Sequence, residues 1–233
     1  MTSVKSVDRT AVRQFVDQVK AAGGTYHRLD LGDGLVIDGD YDMTQYVGHY
    51  HLPERLGGTS VLDVGTAAGF FAIECARRGG SVTAIDIGDQ TCLVAQLVRI
   101  LGLDVRYLQH SIYELEPAFG RFDLVVCGSL LLHLPDPMGA LRALRSVTRK
   151  RLVISTASTF DSETTSLPVC YFEGQHAEDG DYWTYWTLSA AAMCKMLLAA
   201  GFARVDQVEH FNLRSQPHRT PYATPHVVMS AYV

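Results

Sequence analysis

Apolar runs and helical repeats alternate along the chain from about residue 60 onward. Runs such as Phe122–Cys127 are mostly apolar, a pattern typical of parallel strands buried on both faces. In residues 90–101 the apolar side chains instead recur at helical spacing, and this pattern stops at Gly102. The predicted strands are Ser60–Val64, Ser81–Asp86, Val105–Leu108, Phe122–Cys127, Leu152–Ser155, 203–210 and 226–232. The alternation predicts an α/β fold with a doubly wound, mostly parallel, seven-stranded sheet whose last two strands form a hairpin.

Short polar side chains mark the starts of two later helices. Asp136 stands before Pro137, so it is a predicted N-cap with proline in the first turn. Ser189 is a second predicted N-cap, and its neighbours Leu188 and Met193 are spaced to form a hydrophobic staple. These signals predict two helices, one that begins at Pro137 and one that begins after Ser189.

Two segments do not follow the alternation. Residues 1–55 precede the core and contain a predicted helix at 8–22, followed by two short strands around a turn. Residues 158–187 are rich in aromatic and polar residues without a clean period, which predicts an inserted cap. We therefore expect an N-terminal extension over residues 1–55 and a core over residues 56–233 that includes the cap. Because ligands of such sheets bind outside the carboxyl ends of the strands, both additions are expected to roof a site there.

Composition and charge narrow the class of partner. Of the 233 residues, 47% are hydrophobic, which is enough for one sizeable core. The net charge of −5 argues against a strong sequence-independent hold on nucleic acid. The five cysteines are widely spaced, so neither a zinc cluster nor a disulfide framework is predicted. Without a signal peptide or a run of about 18 apolar residues, the chain is expected to be cytoplasmic with no membrane partner. A homodimer is left open.

The turn after the first core strand carries the most informative chemistry. Its spacing, Asp63-x-Gly65-x-x-x-Gly69, lacks the third glycine of a dinucleotide fingerprint and places a carboxylate two residues before the turn. That carboxylate would repel a pyrophosphate, whereas S-adenosylmethionine has a ribose, an ammonium and a sulfonium and no phosphate. Asp86, at the end of the second strand, is the predicted partner of the ribose hydroxyls. An NAD-dependent dehydrogenase is the least favoured alternative to an enzyme that uses S-adenosylmethionine.

The predicted cofactor contacts come from the strand ends and from the segment before the first core strand. After the third strand, His110 and Ser111 stand where an adenine contact is expected. Tyr46 and Tyr50 are one helical turn apart and could face the cofactor together or form a packing face. The full predicted set is Asp63, Gly65, Thr66, Ala67, Gly69, Phe70, Asp86, Ile87, His110, Ser111, Gly128, Ser129, Tyr46 and Tyr50.

One histidine and a small group of side chains are predicted to meet the methyl acceptor. His133 follows the fourth strand and is the candidate base, with simple packing near the cofactor as the alternative. Aromatic rings of the cap are candidate walls of the acceptor pocket, and an arginine near the last hairpin is a candidate ligand for an acidic acceptor group. Ordinary packing and solvent exposure are the alternatives. These residues are Tyr182, Trp183, Trp186 and Arg214.

The turn and the acid at the second strand end resemble class I methyltransferases. At a finer grain, the segments Tyr26–Gly34, Gly39–Asp42, Gly65–Phe71 and Leu132–Pro137 resemble the family of the tRNA wobble-uridine carboxymethyltransferase and its small relatives. The family turn has Trp-Asp where this chain has Ala67 and Ala68, and the tRNA enzyme has Tyr in the place of Leu132. These departures, together with the net negative charge, favour plain S-adenosylmethionine and a small acceptor over a carboxylated cofactor and tRNA. We therefore expect methylation of oxygen, nitrogen or carbon on a small molecule, with S-adenosylhomocysteine as the product.

Two alternatives to that function stay open at this stage. One is an RNA-modifying methyltransferase that uses the same pocket on a nucleotide. The other is a regulator that binds S-adenosylmethionine without catalysis. The acceptor atom and the pathway, with specialised biosynthesis as the expected setting, are not contained in these residues.

Overall fold

A seven-stranded sheet forms the centre of the protein. The computed structural model describes residues 9–22, 24–32, 34–89, 91–159, 166–176, 183–217 and 222–233. The strands in chain order are β1 (Thr25–His27), β2 (Leu29–Asp30), β3 (Val36–Ile37), β4 (Gly39–Tyr41), β5 (Ser60–Val64), β6 (Ser81–Asp86), β7 (Val105–Gln109), β8 (Phe122–Cys127), β9 (Thr148–Ala157), β10 (Cys170–His176), β11 (Trp183–Leu188), β12 (Arg204–Arg214) and β13 (Ala223–Tyr232). The helices are α1 (Arg9–Ala21), α2 (Phe70–Arg77), α3 (Gln96–Leu101), α4 (Pro137–Val147) and α5 (Ala190–Ala199).

The order of strands across the central sheet is β12-β13-β9-β8-β5-β6-β7. The five strands from β9 to β7 pair in parallel, while β13 pairs antiparallel with both β9 and β12. Parallel strands need crossover connections, and α2, α3 and α4 lie within three of them. The predicted doubly wound, seven-stranded sheet with a terminal hairpin is confirmed.

The element ends follow the predicted signals. Asp136 accepts a hydrogen bond from the Gly139 N–H at the start of α4, and Ser189 accepts one from the Ala192 N–H at the start of α5. The predicted helix over 90–101 differs in one respect: it begins as a π-helix over Thr91–Ala95 and becomes α3 only afterwards. Hydrophobic spacing alone does not distinguish the two, because both present an apolar face to the sheet.

Apolar side chains cover both faces of the sheet. On one face, α1, α2 and α3 pack in a cluster that includes Val12, Phe71 and Leu97. On the other face, α4 and α5 pack in a second cluster that includes Leu141 and Met193. Because residues of the N-terminal segment belong to the first cluster, this segment is part of the core and not a loose arm. None of the helices in the described part of the chain combines the length and the apolar character of a membrane span.

The two additions have simple structures. In the N-terminal segment, β1 pairs in parallel with β4 and β2 forms an antiparallel pair with β3, as the predicted turn requires. In the segment predicted as a cap, β10 and β11 form a two-stranded antiparallel sheet. This pair is joined to the central sheet by a bridge between Ser158 and Leu188. The division of the chain into extension, core and cap stays a prediction.

A buried hydrogen bond connects the N-terminal segment to the sheet. The Tyr50 hydroxyl lies 2.8 Å from Ser155 Oγ on β9, and the Tyr50 side chain is fully buried. The Ser155 oxygen also accepts a hydrogen bond from the Ser129 N–H, at 2.9 Å, just beyond the end of β8. The segment before β5 is thereby held at the carboxyl end of β8 and β9, where a ligand site is expected.

The buried imidazole of His27 makes folding sensitive to acid. Burial lowers the pKa of His27 from 6.5 to about 4, and its Nδ1 has no partner among the described residues. Between these two values the unfolded chain binds more protons than the folded one, so stability falls as the pH falls. A shift of this size corresponds to at most about 3 kcal/mol.

We predict that His27→Phe reduces the loss of stability between pH 7 and pH 4. The phenyl ring keeps the packing beside Phe70 and cannot take up a proton. Urea unfolding at several pH values measures this. Above pH 7 the free energies of unfolding of the two proteins should differ by a constant amount. Equal acid sensitivity in both proteins would contradict the prediction.

Candidate functional site

The turn between β5 and α2 is held to the end of β6 by its backbone. The N–H groups of Gly65 and Thr66 both donate to the carbonyl of Ile85, at 2.9 and 3.0 Å. Gly65 has a φ of 71°, and a Cβ there would lie 2.9 Å from a methyl group of Leu130. The turn therefore requires glycine for both its backbone conformation and the close approach of the segment after β8.

Asp63 lies beneath this turn. Its Oδ2 accepts hydrogen bonds from Thr66 Oγ1 at 2.6 Å and from the Ala72 N–H at 3.0 Å, in the first turn of α2. Burial raises the pKa of this carboxyl from 3.8 to about 7, and the negative charge of Asp86 adds to the rise, while the two hydrogen bonds oppose it. The side chain is only 1% exposed. The structure thus gives Asp63 a role in holding the strand-turn-helix junction.

Asp86 presents its carboxylate at the end of β6. Its Oδ2 accepts a hydrogen bond from the Ala67 N–H at 2.8 Å, and its Oδ1 accepts one from the Gly88 N–H at 2.9 Å. Ala67 reaches this position with a left-handed φ of 45°, a conformation that costs energy for a residue with a Cβ. Each carboxylate oxygen keeps a second lone pair, so the oriented group can accept two further hydrogen bonds.

A cavity lies at the carboxyl ends of β5, β6, β7 and β8. The space within it is about 380 Å³, part of which is open to solvent. The lining is mostly apolar, with polar groups from the ends of β6 and β7, as in sites for small ligands. Its residues are Val64, Gly65, Ile85, Asp86, Ile87, His110, Ser111, Ile112, Tyr113, Leu130 and Leu134.

His110 is a polar group on the cavity wall with an unmet hydrogen bond. Its ring stacks on Phe119 at 4.6 Å, and its Nδ1 lies 3.7 Å from Glu114 Oε2. Its Nε2 is buried and has no partner among the described residues. Ser111, the next residue, accepts a hydrogen bond from the Tyr113 N–H. A buried nitrogen without a partner at a cavity wall is a group that a ligand can satisfy.

The residues after β8 approach the cavity from its other side. Gly128 faces Phe71 so closely that a Cβ would lie 2.5 Å from the phenyl ring. Ser129, with a left-handed φ of 51°, is bonded to Ser155. His133 ends a 310 helix over Leu131–His133, and the residues on either side of that helix, Leu130 and Leu134, line the cavity.

The structure brings five of the predicted cofactor residues to the cavity. These are Gly65, Asp86, Ile87, His110 and Ser111. The other predicted cofactor residues are not among those that line this cavity, and their part in cofactor binding stays a prediction: Asp63, Thr66, Ala67, Gly69, Phe70, Gly128, Ser129, Tyr46 and Tyr50. The motif spacing identifies the junction between β5 and α2. It does not distinguish the residues that form this junction from those that line the cavity.

Tyr46 and Tyr50 form a packing face, the alternative that the sequence left open. The ring of Tyr46 stacks on Phe211 at 4.9 Å, and its hydroxyl accepts a hydrogen bond from the Arg214 N–H. Tyr50 also contacts Phe211, with a centroid distance of 6.3 Å. Arg214, the candidate acceptor ligand, is therefore connected through its backbone to this aromatic group at the end of β12.

The predicted aromatic wall of the acceptor pocket is described only in part. Trp186 donates a hydrogen bond from Nε1 to the carbonyl of Leu134 at 3.0 Å, so it supports the segment that lines the cavity. Trp183 lies at the start of β11, but its side chain is not among the described features. Tyr182 lies outside the described residues.

Six cavity residues were absent from the predicted set. They are Val64, Ile85, Ile112, Tyr113, Leu130 and Leu134. Five of the six are direct chain neighbours of predicted residues, and Tyr113 lies two residues after Ser111, so nearness to the predicted strand ends was the available signal. Their apolar character hid them, because an apolar side chain at a strand end has the same pattern as one in the core.

The sequence matches a family model over the residues that build this site. Residues 61–151 match the model described as a methyltransferase domain. A ubiquinone biosynthesis O-methyltransferase of Azotobacter vinelandii is 39% identical over 97 residues, which are 41% of this chain and 42% of that protein. The chain thus spans less than half the length of this curated relative in the match.

Solved structures share the fold over almost the whole chain. The N-terminal domain of EvdMO1, with S-adenosylhomocysteine bound, aligns with a TM-score of 0.64 at 19% identity, covering 95% of this chain and 96% of that one. The cyclase SpnF aligns with a TM-score of 0.62 at 18% identity, covering 95% and 93%. At these identities the likeness establishes the fold alone, and the two names show that one fold serves different reactions. Residues 61–151 therefore match a methyltransferase domain, and the fold that contains them is shared with these solved structures.

Proposed function

We propose that this protein transfers a methyl group from S-adenosylmethionine to a small-molecule acceptor. The observation that carries the proposal is the cavity at the carboxyl ends of β5 to β8, with the oriented carboxylate of Asp86 in its wall. The match to a methyltransferase domain over residues 61–151 supports it, as does the O-methyltransferase of ubiquinone biosynthesis among the similar proteins.

The residues at the cavity fit the nucleoside part of this cofactor. The lone pairs of Asp86 that the backbone leaves free suit the two ribose hydroxyls. The buried, unpartnered Nε2 of His110 suits a polar edge of the adenine, and Ile87 and Tyr113 supply apolar contact area for its faces. The N–H groups of Gly65 and Thr66 are already bonded to Ile85, so these two groups are not available to a phosphate.

The chemistry needs little from the protein beyond alignment. When bound, S-adenosylmethionine supplies a methyl group that is already activated on sulfur. The chain's part is to hold the acceptor in line, to exclude water and to accept the proton of a hydroxyl or amine. His133, between the two leucines that close the cavity, is the proposed proton acceptor. Imidazole is the side chain most often used for such proton transfer.

The finer resemblance to small relatives of the wobble-uridine enzyme is retained as a prediction of the same proposal. The similar curated protein named above is an O-methyltransferase, which favours a hydroxyl on a small molecule. A panel of acceptors with radiolabelled S-adenosylmethionine should therefore contain phenols, amines and tRNA. Label on tRNA alone would favour the RNA-modifying alternative, and label on no acceptor would favour a cofactor-binding regulator. Cytoplasmic location and a homodimer stay predictions.

We predict that the protein binds S-adenosylhomocysteine and that Asp86→Asn weakens this binding about 10- to 100-fold, because a neutral amide replaces the charged acceptor of the ribose hydroxyls. Isothermal titration calorimetry measures both affinities. Asp104→Asn is the matched control, since it removes the same charge from an exposed site at the opposite edge of the sheet. Binding of NAD and not of S-adenosylhomocysteine would overturn the function. Equal affinity in wild type and Asp86→Asn would overturn the role of Asp86.

We predict that His133→Ala lowers kcat about 100-fold on any hydroxyl or amine acceptor found in the panel, without changing the affinity for S-adenosylhomocysteine. The acid limb of the pH–rate profile should disappear, since the group whose deprotonation produces it has been removed. His51→Ala, at an exposed histidine that is bonded to Glu209, is the control and should keep the wild-type profile. An unchanged kcat at every pH in His133→Ala would remove His133 as the base.

A further inference from the structure

A second histidine, at the same edge of the sheet, has an unmet hydrogen bond that the cofactor cavity does not explain. His226 lies on β13 and pairs with Ala157, the last residue of β9. Its side chain is 2% exposed, and its Nε2 is buried without a partner among the described residues. Buried polar groups without partners are uncommon, and a fixed one at the carboxyl edge of the sheet indicates a polar ligand.

The tautomer of His226 follows from its other nitrogen. Nδ1 lies 2.9 Å from the carbonyl oxygen of Thr224, and a carbonyl oxygen only accepts hydrogen bonds. Nδ1 therefore carries the proton, and Nε2 has a lone pair. Burial lowers the pKa of His226 from 6.5 to about 4 although the hydrogen bond to Thr224 opposes the fall, so the ring is neutral near pH 7. A neutral ring in this tautomer offers Nε2 as an acceptor only.

The ring is held in a fixed orientation. It stacks on Phe211 at a centroid distance of 5.3 Å and an interplanar angle of 26°. Phe211 in turn stacks on Tyr46 and His49 of the N-terminal segment. With the Nδ1 bond on one side and the stack on its face, the imidazole has no freedom to turn Nε2 away. Such a lone pair is preorganised for one donor.

His226 lies on a strand that does not line the cofactor cavity. The cavity is lined from the ends of β5, β6 and β7 and from the segment after β8. β9 and β13 follow β8 on the opposite side of the sheet order. Ser129, just after β8, donates its N–H to Ser155 on β9, and Ser155 lies two residues before Ala157, the partner of His226. A molecule that receives a methyl group must lie beside the cofactor, and His226 belongs to the strands next to β8 on the side away from β5.

We propose that Nε2 of His226 accepts a hydrogen bond from the hydroxyl or amine of the methyl acceptor and so selects acceptors that carry such a donor. The inference rests on the proposed methyl transfer and adds the residue that recognises the acceptor. His226 orients the donor group, and His133 is left to take its proton.

The experiment uses phenol and anisole as probes, because they share a ring and differ in the O–H donor. Protein labelled with ¹⁵N is saturated with S-adenosylhomocysteine, and its imidazole nitrogens are followed by NMR during titration with each probe. We expect a bare Nε2 on His226 in the protein without phenol. Phenol should then shift this nitrogen in a saturable manner, and anisole should not.

Two variants distinguish the role of Nδ1 as a donor from the role of Nε2 as an acceptor. His226→Asn keeps a donor for the Thr224 carbonyl and lacks the outer acceptor, so we expect phenol to bind about 10-fold more weakly. His226→Gln places an acceptor near the position of Nε2 and should bind phenol within about threefold of wild type. Both variants should bind S-adenosylhomocysteine as the wild type does, which shows that they fold.

The outcomes distinguish this inference from the proposed function. If S-adenosylhomocysteine gives no heat on titration, methyl transfer is overturned, and the role of His226 with it. If S-adenosylhomocysteine binds and phenol causes no saturable shift of Nε2, only the role of His226 is overturned. A protonated Nε2, an equal shift with anisole, or wild-type phenol affinity in His226→Asn would also overturn it, since each is incompatible with a selective acceptor.

Discussion

The site depends on one set of hydrogen bonds that joins the ends of β5 and β6. Gly65 and Thr66 donate to Ile85, and Ala67 donates to the Asp86 carboxylate. On the other side of the turn, the buried Asp63 carboxylate accepts from Thr66 and from the first turn of α2. These bonds set where α2 begins and how Asp86 faces the cavity. A polar group that is costly to bury is tolerated here because it accepts hydrogen bonds from donors that would otherwise be unmet.

The same junction explains why two acids in similar motif positions have different surroundings. Asp63 lies under the turn, and its burial raises its pKa to about 7. Asp86 lies at the strand end, half-exposed, with one backbone bond on each oxygen. The first acid stabilises the local fold, and the second is available to a ligand. The charge argument from the sequence treated both as ligand contacts, since a motif does not report which side of the backbone a carboxylate occupies.

The N-terminal segment is an integral part of the acceptor side of the molecule. Tyr50 bonds to Ser155, and Tyr46 and His49 stack on Phe211, which stacks on His226. Residues that are far apart in the chain thus form one aromatic group beside the ends of β9 and β13. The fold is shared with proteins that have different names and reactions, so the identity of the reaction lies in groups such as this one and not in the sheet.

The sequence by itself determined the sheet, its terminal hairpin, the caps at Asp136 and Ser189 and the position of the glycine turn. Each of these follows from local rules: the period of apolar residues, the hydrogen bond of a capping side chain, or the freedom of glycine. The tertiary structure alone decided which residues face the cavity. Leu130 and Tyr113 look like core residues in the sequence, and His226 has no motif around it. Their roles arise because the sheet order brings distant strand ends together, and pairing between distant strands is not encoded in local periodicity.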